Sequence, residues 1–499
     1  MAACTAFTPL MPGIMLALSL ISSTCYAQVR DSSGLVHGQV EVGVWAATGK
    51  VQPFWLRANQ YGTVPNATPE ATGRVGVWRD YARPDTLTNS RKRLVWGFGL
   101  NAVTNVGQTN QLLLAEAYGK VAYGIIEFYG GRRRQTIGLG DTTLSSGFMA
   151  NSGNALPIPK VQLATRGYIP LGFLKSWLAV NAGFAHGWFN VPYINKSYLH
   201  QKYLYLRFGK PKAPVQVHLG LNHQVQWGGE ADYLIGSPVA VNGKLPSSFK
   251  YYGNIILATN PGQWSAADYT SFDGAYRIGN HLGSIDAAIE VRNGWGHWLL
   301  YHQHIYEDVS GLLFLNAPDG LTGLRWVRHS QGAGKGTNGV NHIVIEYVST
   351  LDQSGATFDV PGSMYQGTDN YFNHGQYREG WSYLGRSLGT PLIGAKTELR
   401  GAAQTNLFFP NNRIQALYVG ASGLLYSRLT WTTRLTYNRN YGTFSLPYPI
   451  PLNQFSGLLS AQFPLLRWPG TFLTSSVALD QGDLLPGTAG AYIGLTRRW

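Results

Sequence analysis

The sequence predicts an all-β protein: a single large transmembrane antiparallel β-barrel of about 16–18 strands, its lumen partly filled by loops. Three observations predict it. Segments of roughly ten residues alternate apolar and polar side chains, the pattern of strands with one face in lipid and the other in a lumen. Charged residues are 13% of the chain, beside 15 Trp, 29 Tyr and 61 Gly, where soluble domains carry roughly 25% charge. Beyond the N-terminal region no run of about 18 apolar residues occurs, so helices cannot span the bilayer and a closed barrel is the remaining solution.

Residues 1–27 are expected to be a secretory signal peptide, with an apolar core from Ile14 to Ile21 and small residues leading to a cut after Ala27. That core is too short to cross a bilayer, and Pro9, Pro12 and Gly13 disfavour a buried helix. Cys4 and Cys25 both lie in it, so the exported chain would be without cysteine and without disulfides. Residues 28–499 then form one barrel, with no linker or break in composition. For residues 28–60 two readings stand, part of the barrel or a periplasmic element; Arg57 to Gly62, beside Trp55, reads as a short plug or a first strand.

Val215 to Trp227 places Val215, Val217, Leu219, Leu221, Val225 and Trp227 on one face and Gln216, His218, Asn222, Gln224 and Gln226 on the other. Ser284 to Arg292 and Arg428 to Tyr441 alternate in the same way, each about the length a tilted membrane strand needs. Asn242-Gly243, Asp273-Gly274, Asn293-Gly294, Asp319-Gly320 and Asn338-Gly339 supply the positive φ of tight turns and are expected at hairpins or loop edges. The chain ends on an alternating run from Ala491 to Trp499, as an outer-membrane barrel would.

Lys and Arg number 39 against 25 Asp and Glu, a net +14, and residues 1–27 contain none of them. A basic lumen or mouth would favour anionic ligands such as acidic glycans; arginines at the bilayer rim facing acidic headgroups account for the balance equally well. The export signal argues against nucleic acid as a partner.

Three stretches depart from alternation. The first is Gly130-Gly131-Arg132-Arg133-Arg134-Gln135 followed by Gly147-Phe148-Met149-Ala150-Asn151-Ser152-Gly153-Asn154-Ala155-Leu156-Pro157-Ile158-Pro159-Lys160. Pro157 and Pro159 lack ladder donors, so this run is a fixed extended loop that either narrows the lumen or turns at the rim. If the arginines lie on a strand, Arg132 and Arg134 share one face and Arg133 takes the other; they either meet a ligand or pair with lumen acids such as Glu290. The second stretch is Leu300-Tyr301-His302-Gln303-His304-Ile305-Tyr306-Glu307-Asp308. The third, residues 370–391, holds His374, Tyr377, Trp381 and Arg386 among amides and glycines. Aromatic faces could stack there on sugar rings while Arg386 bonds hydroxyls or carboxylates; the same residues could pack the loop as a plug.

In these blocks and their order, from about residue 40 to the end, the sequence resembles the Wzi-like capsule assembly family of outer-membrane barrels. The resemblance implies a lectin-like barrel of the Gram-negative outer membrane that binds nascent capsular polysaccharide and helps attach or assemble it at the cell surface. Acidic capsular polysaccharide or exopolysaccharide and outer-membrane lipid are the partners it implies, for a chain expected to be a monomer. The polysaccharide-binding residues expected are Arg132, Arg133, Arg134, Asn154, His374, Tyr377, Trp381 and Arg386. The competing reading is a general or anion-preferring porin, which shares the barrel and the basic balance.

No catalytic residue, metal or cofactor is expected. His302 and His304 share a strand face near Glu307 and Asp308, but no third metal ligand has recognisable spacing. Gly332 to Thr337 is a Gly-rich tip rather than a phosphate loop, since no helix follows. No His-Glu-x-x-His motif occurs, and nothing brings the carboxylates Asp369 and Glu379 together for glycan hydrolysis.

Overall fold

The computed structural model describes residues 36–81, 94–329, 338–357 and 367–499. The expected signal peptide and the Gly332 to Thr337 tip lie outside the described residues. Eighteen strands close into one antiparallel barrel. The first nine are β1 (Val36–Ala47), β2 (Glu70–Arg79), β3 (Leu94–Gly107), β4 (Gln111–Tyr123), β5 (Ile126–Arg132), β6 (Lys160–Thr165), β7 (Leu178–Val191), β8 (Ile194–Phe208) and β9 (Val215–Trp227). The others are β10 (Asn280–Asn293), β11 (Gly296–Tyr306), β12 (Gly320–Val327), β13 (Gly339–Ser349), β14 (Ile414–Leu425), β15 (Leu429–Gly442), β16 (Pro447–Pro464), β17 (Thr471–Gly482) and β18 (Thr488–Arg498).

Each strand pairs with the next, and β1 pairs with β18 from Gln39 opposite Arg498 to Ala47 opposite Gly490. Beyond β18, Trp499 exchanges both backbone bonds with Gly38, at 3.0 and 3.1 Å, so the aromatic chain end seals the seam. Closure leaves no free edge along that seam, as a sheet in lipid requires.

The alternation read from sequence is the inside–outside alternation of the wall. Val44, Leu219, Leu435, Leu459, Val477 and Ile493 point outward and are exposed. Gln216, Asn222, Gln303, Glu346, Thr436 and Asp480 point inward and are buried. Tyr123, Trp177, Trp295, Tyr426, Trp468 and Trp499 are exposed at one end, beside the short turns and the C-terminus, forming an aromatic girdle at one membrane interface. The four longest connections, 48–69, 133–159, 228–279 and 350–413, all leave from the opposite end. Short turns mark the periplasmic side and long loops the extracellular side.

Two sequence expectations need correction. Val225 and Trp227 do not face lipid: they are buried with Tyr251, Ile255, Tyr269 and Ile278 of the 228–279 connection. That connection carries the short helices α2 (Tyr252–Leu257) and α3 (Ser271–Tyr276). Asp273-Gly274 is no hairpin but lies inside α3, where the Thr270 hydroxyl accepts the Phe272 N–H at 3.3 Å. Asn293-Gly294 does sit at the tight turn from β10 to β11.

Candidate functional site

Three of the long connections fold inward. The first, 48–69, contains the helix α1 (Phe54–Arg57), whose four residues are all buried. This decides between the two readings of Arg57 to Gly62: β1 is the first strand, and the segment after it is a plug. Trp55 donates its indole N–H to Thr436 of β15 at 3.0 Å, and the Phe54 N–H is held by Asp480 of β17 at 2.8 Å.

The second inward segment is 133–159. The N–H groups of Leu139, Ser146 and Met149 donate to Asp286 of β10 (2.9 Å), Glu346 of β13 (2.7 Å) and Gln303 of β11 (2.9 Å). Residues 155–158 are buried or nearly so, which places the Pro157-Ile158-Pro159 run in the interior rather than at the rim.

The third is 370–413. Trp381 is 1% exposed and donates to the Ala150 carbonyl at 2.8 Å, joining this segment to the second. The crossing needs a glycine: Gly380 has φ +52, and a Cβ there would lie 1.8 Å from the Phe372 carbonyl oxygen, which accepts the Trp381 N–H. A hairpin over Ser382–Ser387 follows. Asn154 donates to the Ser387 carbonyl and hydroxyl at 3.3 and 3.2 Å.

Arg57, Arg386 and Glu398 form a buried triad that ties the first and third segments together. Glu398 pairs with Arg57 and, at 3.2 Å, with Arg386. Arg386 also donates to the Val64 carbonyl and the Asn66 side chain, both at 2.7 Å. Burial pulls its guanidinium down to about 10, and the Glu398 carboxylate opposes that shift.

Four of the eight expected ligand residues thus serve the plug in this structure. Asn154, Trp381 and Arg386 make the contacts above, and Tyr377, 1% exposed, donates to the Gly228 carbonyl at 3.0 Å. His374 is half-buried between Phe272 and Tyr377, and burial lowers its pKa to about 4, so it is neutral at physiological pH.

The three arginines do not alternate as strand residues. Gly131 has φ +121 and the strand stops at Arg132, so Arg133 and Arg134 both turn toward the lumen. Arg133 pairs with Glu127 and lies over Tyr118 and Tyr129; Arg134 pairs with Glu116 and lies over Tyr61. Glu290, the acid expected to meet them, is held by Arg292 and His218 instead. Arg132 reaches the Leu114 carbonyl at 3.1 Å and the Tyr383 hydroxyl at 3.2 Å. Between this cluster and Trp381 lies a cavity of about 30 Å³, lined by Arg133, Gln135, Lys160, Gln201 and Gln224.

At the extracellular mouth, sequence reading missed Arg378, exposed and seated over Tyr193 and Tyr233 with centroid distances of 5.6 and 5.1 Å. Its place in the 370–391 block, next to the expected contact Tyr377, was the available signal. His302 and His304 meet Thr322 at 2.8 Å and the Gly311 carbonyl at 2.9 Å. Among the described residues no three His, Cys, Asp or Glu side chains converge as metal ligands would.

Fold, lumen polarity, aromatic girdle and loop asymmetry define an 18-stranded outer-membrane β-barrel. No family model and no curated protein matches the sequence. Among solved structures it is similar to Wzi of Escherichia coli, described as an outer membrane protein involved in Group 1 capsule assembly and a carbohydrate-binding β-barrel. That match has a TM-score of 0.57 at 15% identity and covers 92% of this chain and 83% of the other. An anion-selective porin from Comamonas acidovorans gives a TM-score of 0.37 at 10% identity, covering 94% and 99%. OmpF of Salmonella typhi gives 0.41 at 9%, covering 95% and 100%. At these identities the likeness to Wzi is one of fold.

Proposed function

We propose that this barrel binds extracellular capsular polysaccharide and helps attach or assemble it at the cell surface. The observation that carries the reading is the plug: two connections are bonded to inward side chains of β10, β11, β13, β15 and β17, and the third is bonded to the second through Trp381, so the lumen is packed rather than left as a channel. A filled barrel has little to offer as a pore but makes a rigid base for a binding surface at its extracellular end.

The likeness in fold to a carbohydrate-binding barrel supports the same reading. Arg378 with Tyr193 and Tyr233 provides the pairing of cation and aromatic faces that suits an acidic sugar chain. Arg132, Arg133, Arg134 and His374 are further proposed contacts. Asn154, Tyr377, Trp381 and Arg386 act by fixing the loops that present them.

The test is conductance of the refolded protein in a planar bilayer, with and without an acidic capsular polysaccharide, alongside direct binding of that glycan. Closed bilayers together with glycan binding that Arg378→Ala weakens support the proposal. A stable open conductance indifferent to the glycan overturns it in favour of a porin.

A further inference from the structure

The wall is not of even height. β4 continues from Glu116 to Gln111 past its last pairing with β5, where Ala117 lies opposite Arg132. On the other side β7 continues from Trp188 to Val191 past its last pairing with β6, where Gly187 lies opposite Lys160. β5 and β6 have stopped by then, and the chain between them runs through the lumen. The extracellular part of the wall therefore lacks two strands between β4 and β7. Three strand spacings make that notch about 14 Å wide, and four to six residues make it about 14–20 Å long along the strands.

The notch has an apolar outer surround and a cationic sill. Leu112, Leu114 and Trp188 face outward beside it, 77%, 45% and 38% exposed. Arg132 crosses it, one guanidinium nitrogen on the Leu114 carbonyl at the unpaired edge of β4 and another on Tyr383 of the plug. Arg133 and Arg134 each have a carboxylate partner. Arg132, half-buried, has none within ion-pair distance among the described residues. Its bonds to Leu114 and Tyr383 go to neutral oxygens, and a guanidinium has five N–H donors. A cation at the hydrocarbon boundary without a counter-ion is costly, and an anion brought by the bilayer itself relieves that cost.

We propose that the notch binds a phosphorylated glycolipid of the outer leaflet, its phosphate on Arg132 and its acyl chains along Leu112, Leu114 and Trp188. An unpaired strand edge could otherwise recruit a strand from a partner protein. Arg132 already occupies the Leu114 carbonyl, and its charge selects an anion over a strand. Arg132 is also a proposed glycan contact, but the lipid site does not rest on that reading and would stand equally for a porin.

Native mass spectrometry of the full-length protein in mild detergent tests it, with bis-phosphorylated lipid A, its dephosphorylated counterpart and inorganic phosphate as probes. Expected is retention of the phosphorylated lipid, weakened about tenfold or more by Arg132→Gln or by removing the lipid phosphates, as loss of a charge-assisted hydrogen bond implies. Equal retention of both lipids, or displacement of the lipid by inorganic phosphate, overturns it. A photo-crosslinking residue replacing Leu114 in the otherwise unaltered protein gives a second readout in whole cells. Glycolipid capture there, exceeding that at Leu459 on the far wall, supports the site; equal capture at both, or capture of a partner protein at Leu114, refutes it.

Discussion

Glu398→Ala removes the carboxylate that pairs with both Arg57 and Arg386, which are 2% and 8% exposed. Breaking a buried ion pair by deleting one partner costs about 3–5 kcal/mol, because the remaining charge stays buried without compensation. Here two guanidiniums are stranded, though Arg386 keeps its bonds to Val64 and Asn66 and Arg57 keeps the Gln52 carbonyl. The cost should fall on the plug, since all three residues lie between strands. Hydrogen exchange resolves such local opening. In segments 48–69 and 382–399 it should accelerate by about two to three and a half orders of magnitude, the equivalent of that energy, while β14 to β18 stay protected. Replacing all three residues together, Glu398→Ala with Arg57→Met and Arg386→Met, should restore most of the protection, because no charge is then stranded. Exchange unchanged in Glu398→Ala, or a triple variant less protected than the single one, would refute the argument that this triad secures the plug.

Trp381→Ala should cost about 3–5 kcal/mol by cavity formation, with added loss of the Ala150 bond; current steps in planar bilayers, absent from the parent protein, would report the loosened plug. Asp369 is raised to about 7, by burial first and by Asp308 next, and Glu307 and Asp319 beside it are raised by burial as well. A raised carboxyl gives stability that is complete below about pH 4, its unfolded value, and is lost as pH rises through 7. Exchange at residues 367–372, corrected for its intrinsic rate, should therefore increase between pH 5 and 8, and Asp369→Asn should flatten that profile. Leu459→Arg, on the outward face of β16, should destabilise the barrel in vesicles by about 2–4 kcal/mol if it lies near the bilayer midplane; no change in its denaturant midpoint would contradict a lipid-facing Leu459.

The strands were legible because period-two alternation is enforced along their whole length by two different solvents. Val215 to Trp227 is a strand with the bounds the pattern gives, and Ser284 to Arg292 lies within Asn280–Asn293. What covers an apolar face was not legible. Val225 looks the same in sequence whether lipid or Ile255 lies against it. The 147–160 and 370–391 blocks could be recognised as non-strand from their prolines, glycines and lost alternation. Their partners could not: Glu398 acts through contacts to a residue 341 positions away, and no local pattern encodes that. The arginine run failed differently, because the strand, turned at Gly131, ends at Arg132, one residue before alternation would have applied to Arg133.

The same physics explains why a channel and a plugged barrel could not be told apart by composition. An irregular segment inside a barrel has backbone N–H groups with no ladder to join, and each needs an acceptor. The wall supplies them from carboxylates and amides: Asp480 to Phe54, Asp286 to Leu139, Glu346 to Ser146, Gln303 to Met149, Gln454 to Leu485. Those side chains would line an aqueous pore just as well. The difference lies in what they bond. Here they accept from the protein's own backbone, so wall acids that would offset a cationic lumen are committed to holding the loops in place.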